Sequence, residues 1–495
     1  EFSIKRTNKI STFSLLVPQR AMKIKAIARA PPSSGGGRAP VPRIHRNLDP
    51  TAHPLSRARE YQRAVTAVKL DRMFAKPFVG ALEGHSDCVS STAQSRRGLL
   101  PFVTGGYDGR IMVWDLAARK SVMRIGGGVE GGPDQAHAGP VTGVVVSPEK
   151  HGTIFYSCGD DKRIHRWKLG VTHSGGGAPV GGTDGGGCDP EETWTHSSPL
   201  KSMDHHWSRP EFATAGDGAL DIWSPDRSAP VQSHTPWGSA GEGVTCCRYN
   251  PSETSLVGHC STDRGVGLTD TRAAGGVRKT VLAMRSNAFE WNPMEPMTFT
   301  VGNEDHNCYT FDVRRMDRPS MIHRGHVGAV LAVGYGPTGK EFATGGYDKT
   351  VRIFGTRSPT ARDCYHTRRM QRVFAVDYTA DSKYVLTGSD DHVVRIWRAR
   401  ASEGEGQRSA REERSLEYRA ALVKKFEDTP EVRRISKGRR LPKLVRKQTE
   451  IVHVQRKGAK RKMDNVVRHS GKDAQGKPVK RYEGDRKKAV VKEVD

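Results

Sequence analysis

The sequence predicts an all-β fold, a seven-bladed WD40 β-propeller carrying basic, mainly helical N- and C-terminal extensions. Three observations predict it. Thr104-Gly-Gly-Tyr-Asp108-Gly-Arg-Ile-Met-Val-Trp114 returns 240 residues later as Thr344-Gly-Gly-Tyr-Asp348-Lys-Thr-Val-Arg-Ile-Phe354. The same spacing, an Asp six residues before an aromatic or its stand-in at the end of a short apolar strand, occurs seven times. The pairs are Asp108/Trp114, Asp161/Trp167, Asp217/Trp223, Asp263/Thr269, Asp305/Phe311, Asp348/Phe354 and Asp391/Trp397. From Trp223 to Trp397 the strand ends fall at intervals of 46, 42, 43 and 43 residues, the period of WD40 repeats.

Each part of the motif has a physical reading. The Asp belongs in a tight turn between two strands, where its short carboxylate accepts backbone and side-chain hydrogen bonds. The Val/Ile/Arg alternation makes the following strand, and its aromatic end packs inside the blade. A His near the start of the blade completes a network with that Asp, a Ser or Thr and the Trp. Gly84-His85, His137-Ala-Gly and Gly325-His326 supply it for blades one, two and six. Blades three, four, five and seven lack a comparable Gly-His, so reduced networks are expected there. Phe78-Val-Gly-Ala-Leu82 is expected to close the ring by completing the last blade, which otherwise runs out at Trp397.

Charge divides the chain as sharply as the repeats do. Residues 77–400 carry a net charge of +1, against +12 for residues 1–76 and +13 for residues 401–495. The expected domains follow: an extension of uncertain status at 1–21, a basic N-terminal arm at 22–76, the propeller at 77–400 and a basic helical C-terminal domain at 401–495. Met22-Lys-Ile-Lys reads as a natural start. Basic arms on a neutral body are the pattern of segments that meet a polyanion. The eight cysteines are scattered, with no Cys-x-x-Cys pair and no Cys/His cluster at zinc spacing. Free thiols in a reducing compartment, with no metal and no cofactor, are expected. No run approaches the roughly 20 apolar residues of a membrane span, so a soluble intracellular protein without a membrane partner is expected.

Outside the repeats, residues 31–42 read as a flexible Pro/Gly linker. Pro54 to Leu70 reads as an amphipathic helix whose Arg57 and Arg59 are candidate RNA contacts. A solvated helix packed on the propeller is the competing reading for any single basic residue there. The glycine-rich insertion at 174–187 lacks the strand, helix start and Lys-Ser/Thr of a phosphate loop and reads as a connector. Ser409 to Glu427 reads as an amphipathic helix, Thr429-Pro430 as the capped start of the next, Gly438 as its stop, and Leu441-Pro442 as the opening of a third. Around these helices lies the densest basic cluster, the candidate RNA-binding residues Arg433, Arg434, Lys437, Arg439, Arg440, Lys443, Arg446 and Lys447. Arg456 to Lys492 is basic and poor in apolar residues and is expected to be extended or to fold on a partner.

These flanking residues resemble one family, the Sof-type WD-repeat proteins of the nucleolus, components of the U3 small nucleolar ribonucleoprotein and the small-subunit processome. The likeness rests on Arg46-Asn-Leu-Asp-Pro50, Arg57-Ala-Arg-Glu-Tyr61 and Val68-Lys-Leu-Asp-Arg-Met-Phe-Ala-Lys-Pro-Phe78. It rests equally on Arg414-Ser-Leu-Glu-Tyr418, Pro430-Glu-Val-Arg-Arg-Ile435, Leu441-Pro-Lys443 and Arg486-Lys-Lys-Ala-Val-Val491. All lie outside the propeller, so they are more specific than WD repeats, which unrelated proteins share. The resemblance implies a nucleolar scaffold needed for small-subunit pre-rRNA processing, with pre-ribosomal RNA, U3 RNA and other processome proteins as partners.

A rival reading is a substrate receptor of a cullin-RING ubiquitin ligase, a role associated with some animal members of the family. Such receptors show an Asp-x-Arg at a blade end, and Asp270-Thr-Arg272 and Asp312-Val-Arg314 are the candidate adaptor contacts. Thr269 and Phe311 stand where the usual Trp would precede them. An enzyme is disfavoured. In Asp160-Asp161 and Asp390-Asp391 the second Asp is the blade's turn residue, and His205-His206 lacks further ligands at metal spacing.

Overall fold

A computed structural model describes residues 53–494, apart from 96–100, 127–135, 149–153, 170–189, 236–242, 274–275, 403–408, 439–440 and 472–484. The extension at 1–21, the linker at 31–42 and the glycine-rich insertion at 174–187 therefore lie outside the described residues. The repeats form seven antiparallel sheets, six of four strands and one of five, in the order of the chain. Seven apolar seams, each shared by two successive blades, join them. One such seam sets Leu386 and Ile396 of blade seven against Val89, Phe102 and Trp114 of blade one. The ring is closed by the strand Phe78–Glu83, which pairs with Val393–Arg398 from Glu83 opposite Val393 to Phe78 opposite Trp397. Pairing removes the free edge that an open seventh sheet would present.

Hydrogen-bond networks fix the turns of the blades. In blade one His85 Nε2 and Thr104 Oγ1 lie 2.8 Å apart, Trp114 Nε1 donates to the same Oγ1 at 2.8 Å, and His85 Nδ1 lies 3.3 Å from Asp108 Oδ1. His137, Ser157, Trp167 and Asp161 repeat the arrangement in blade two, and His326, Thr344 and Asp348 repeat it in blade six. There Phe354 has no N–H to donate. The glycine ahead of the turn in these three blades is required by this packing: a Cβ on Gly346 would lie 2.7 Å from His326 Nδ1 and 2.9 Å from Asp348 Oδ1. The residue after each turn Asp adopts a left-handed backbone in all seven blades, from Gly109 at φ 70° to His392 at φ 65°.

Blades without the Gly-His pair satisfy their Asp in other ways. Lys279, nearly buried, pairs with Asp263, and Tyr309 donates its hydroxyl to Asp305. Arg395 forks onto Asp391, with Nη1 2.9 Å from Oδ1, and Trp397 Nε1 donates to Thr387 Oγ1 at 2.8 Å. Each substitute brings a cation or hydroxyl to a carboxylate that could not be left bare inside the protein.

Blade three corrects two readings of the sequence. Its turn is one residue shorter, because Gly216 N–H donates to Ala219 O where Gly106 N–H reaches Arg110 O. The slip turns Asp217 outward, where its side chain is 52% exposed and pairs with Lys201. The blade nonetheless has its His. His196 lies four residues ahead of the strand Leu200–His205, the offset of His85 from Val89–Gln94, and its Nε2 is 2.6 Å from Asp221 Oδ2. Asp221 is 3% exposed and sits on the strand two residues before Trp223. The network is thus re-formed with the acid moved from the turn to the strand.

Acid should undo the fold in two stages. Burial pushes His165, His259 and His323 down to about 4, against about 6.5 for an unfolded His. Across that interval the unfolded chain binds protons that the native one does not, so stability falls as pH falls. Burial would raise the Asp108 carboxyl, but the His85 hydrogen bond and the Ser86 amide outweigh it and hold it at about 2. Asp348 is likewise lowered, burial being outweighed by His326 and Arg352. Stability from these carboxylates is present above about pH 4 and lost below it. His196, raised by its hydrogen bond to Asp221, acts oppositely and loses its contribution as pH rises. Urea midpoints should therefore drop between about pH 6.5 and 4 and again between about 4 and 2, each tenfold change in proton affinity being worth about 1.4 kcal/mol.

Among the described residues seven cysteines are free, six of them buried. Burial raises the thiols of Cys88 and Cys158 to about 12, which leaves them protonated and unreactive. His205 and His206 are buried, with ring nitrogens 2.6 Å from His206 O and 3.0 Å from Thr254 O.

Candidate nucleic-acid interface

Ring closure at blade seven is what brings the two arms together. Arg398 N–H donates to Pro77 O at 2.7 Å and Lys76 N–H to Ala401 O at 3.1 Å, so the chain enters and leaves the propeller side by side. The helix before the entry point, α1, spans Ser56–Met73. After the exit come α2 (Ala410–Lys425) and α3 (Pro430–Lys437). The Ser409 hydroxyl accepts the Glu412 N–H and the Glu412 carboxylate accepts the Ser409 N–H, a capping box that starts α2. Thr429 does not cap α3 as the sequence suggested, because its Oγ1 donates back to Phe426 O at 2.6 Å; Pro430 in the first turn starts that helix.

Ala64, Val65 and Val68 of α1 pack with Leu422, Phe426 and Val432 of the C-terminal helices. Tyr61 sets its ring edge-on to Phe426 at 5.7 Å and donates its hydroxyl to Glu431 at 3.0 Å. Arg72 clamps the assembly to the propeller, reaching Asp363 of blade six at 3.0 Å and the Ser436 carbonyl at 2.5 Å. With the apolar side chains turned inward, the cations are left outside.

Those cations include most of the predicted ones. Arg433, Arg434 and Lys437 are exposed on α3, and Lys443, Arg446 and Lys447 on the next helix, α4 (Lys443–Arg468). Arg446 lies 3.9 Å from Glu450 at the surface, a weak pair. Arg433, Arg434, Lys437, Lys443 and Lys447 form no ion pair with another described residue. Arg439 and Arg440 lie outside the described residues, and Arg57 and Arg59 are exposed on the first two turns of α1. Exposed cations held on a packed helical frame suit phosphate, since binding then releases counterions without first breaking internal pairs. Sequence reasoning placed Arg63 on the basic helix but not its contact with the Tyr418 hydroxyl at 3.4 Å, and gave Arg72 no role, because such long-range contacts leave no local signal.

The segment from Arg456, expected to be extended or to fold on a partner, is regular at its two described ends, residues 472–484 lying outside the described residues. The helix α4 runs on to Arg468, and Val490–Val494 forms a fifth strand on blade four, pairing Lys492 with Val281 and Val494 with Lys279. No helix among the described residues is long and apolar enough to cross a membrane.

The candidate adaptor residues lie where strands of blades four and five end, at Asp270 and Asp312. Arg272 folds back on Asp270, with Nη2 2.9 Å from Oδ2 and Nε 3.2 Å from Oδ1, while its side chain remains 77% exposed. Asp312 accepts the Arg314 backbone N–H at 3.0 Å. Arg314 lines, with Leu256, Leu268, Val277, Arg278 and Val313, a shallow hollow of about 330 Å³ between blades four and five.

Comparison with known proteins fits this architecture. The Sof1-like domain pattern matches residues 399–490, and the WD domain, G-beta repeat pattern matches 76–115, 318–355 and 362–398. "DDB1- and CUL4-associated factor 13" of Danio rerio is 40% identical over 450 residues, covering 91% of this chain and 96% of that protein. The Homo sapiens protein of the same name is 39% identical over 454 residues, with the same coverage. "Protein SOF1" of Saccharomyces cerevisiae is 37% identical over 489 residues, covering 95% of this chain and 94% of that one. A propeller of WD repeats followed by a Sof1-like helical domain, matched over more than nine-tenths of its length by these relatives, places the chain in the SOF1/DDB1- and CUL4-associated factor 13 family.

Proposed function

We propose that this chain is a non-enzymatic scaffold of the small-subunit processome, the U3 ribonucleoprotein, needed for small-subunit pre-rRNA processing in the nucleolus. The propeller binds neighbouring proteins, and the helices α3 and α4 bind pre-ribosomal and U3 RNA through their phosphates. The observation that carries this reading is the set of exposed cations Arg433, Arg434, Lys437, Lys443 and Lys447, which form no ion pair with another described residue, with α3 packed in an apolar cluster beside a propeller of net charge +1. Propeller and helices divide the work: rigid blades offer wide protein-binding faces, and exposed cations meet a polyanion of any sequence.

The test is ultraviolet crosslinking of the tagged protein in cells, with sequencing of the attached RNA and mapping of the crosslinked peptides. Crosslinks from residues 430–468 to pre-rRNA or U3 RNA are the expected result. Absence of RNA with co-purification of a cullin adaptor would instead favour the second reading, a receptor of a cullin-RING ligase. The name borne by the Danio rerio and Homo sapiens relatives and the exposed Asp270/Arg272 fork favour that alternative.

A further inference from the structure

Helix α4 carries an outer face that RNA binding does not account for. Its inner side holds Val445, 2% exposed, with Val452 and Met463 half-buried. On the far side Leu444, Ile451 and Val454 are 66%, 57% and 67% exposed. At about 100° per residue these three fall within about 80° of one another, which makes a single apolar ridge rather than scattered exposure. Lys447 lies within the ridge, and Lys443 and Arg461 line the same edge of it. The whole helix has nine Lys and Arg against two acidic residues, Glu450 and Asp464.

A phosphate backbone offers nothing that would cover branched aliphatic side chains. An exposed apolar stripe of this kind marks a protein contact. The cations decide what kind of protein. A basic or neutral helix laid on the ridge would meet Lys443, Lys447 and Arg461 as like or unsolvated charges. An acidic amphipathic helix would cover the ridge with its apolar face and meet the same cations with its carboxylates.

We propose that the outer face of α4 is a docking ridge for an acidic amphipathic helix of a partner protein, with Leu444, Ile451 and Val454 as apolar anchors and Lys443, Lys447 and Arg461 as charge partners. Lys443 and Lys447 also serve phosphate in the reading above, so what sets the ridge apart from RNA binding is its apolar anchors, which phosphate does not use.

The experiment uses the full chain and a synthetic acidic peptide of about 20 residues, a Leu/Glu amphipathic helix, together with its scramble of equal charge but no apolar face. The variant Leu444→Gln/Ile451→Gln/Val454→Gln keeps every cation and uses a residue of good helix propensity. Wild type should bind the peptide at least about tenfold more tightly than the scramble, and the triple variant should lose at least about tenfold for the peptide. Binding of a structured RNA hairpin should stay within about twofold. Equal binding of peptide and scramble, an unaffected triple variant, or parallel loss of the hairpin would each overturn the proposal. Ile451→Gln, a single exposed change that removes the central anchor and leaves every charge in place, answers the same question if circular dichroism shows that the triple variant lowers helicity. It too must weaken the peptide and spare the hairpin.

Discussion

Replacing Asp348 with Ala should cost the native protein about 3–5 kcal/mol, because it removes one partner of a buried charge network and strands the rest. The Asp348 carboxylate is 2% exposed and meets His326 at 3.1 Å, the Thr350 hydroxyl at 2.7 Å and the Val327 and Thr350 amides at 3.2 Å. Arg352, itself 7% exposed, lies 3.8 Å away and would be left facing a void. Asp217→Ala, at the same six-residue spacing in the sequence, should cost less than about 1 kcal/mol, since it breaks only an exposed pair with Lys201. Asp221→Ala should behave like Asp348→Ala, because Asp221 is the acid that His196 holds. Urea denaturation of the three variants measures the ordering. Equal midpoints for the Asp217 and Asp221 variants would mean that the network of blade three is not seated as described.

The three aspartates show what the sequence could and could not convey. Six turn residues sit where the six-residue spacing puts them, because a β-hairpin fixes its own register over a few residues. Asp217 escapes because the missing residue lies ahead of it: Tyr107 separates Gly106 from Asp108, whereas Asp217 follows Gly216 directly, so the count to Trp223 survives while the geometry changes. His196 was invisible for a related reason: Thr195 precedes it in place of Gly, and a search for Gly-His passes it by. Beyond the propeller, the apolar cluster of α1, α2 and α3 was readable one helix at a time through its periodicity. The length of α4 was misjudged because low apolar content was read as disorder, although Lys, Arg, Gln and Met are good helix formers. The strand Val490–Val494 has β-branched residues but too few to stand out. Its partner Gly276–Leu282 lies some 200 residues upstream, and nothing local announces that pairing.

The candidate interface makes the other large prediction. Arg433→Ala/Arg434→Ala/Lys437→Ala replaces three exposed cations with the best helix former and leaves buried Val432 in place, so α3 and its packing should persist. If each cation meets a phosphate, losing about 1 kcal/mol apiece should weaken binding of a structured pre-rRNA fragment by roughly 100-fold at low salt. The slope of log affinity against log salt should flatten by about 2–3, since each lost phosphate contact removes about 0.7–0.9. The slope is the sharper observable, because misfolding would lower affinity without a defined change in counterion release. Arg272→Ala/Arg314→Ala, on the propeller, should leave both quantities unchanged. A flattened slope for that pair and an unaltered one for the α3 variant would move the nucleic-acid surface from the helices to the blades.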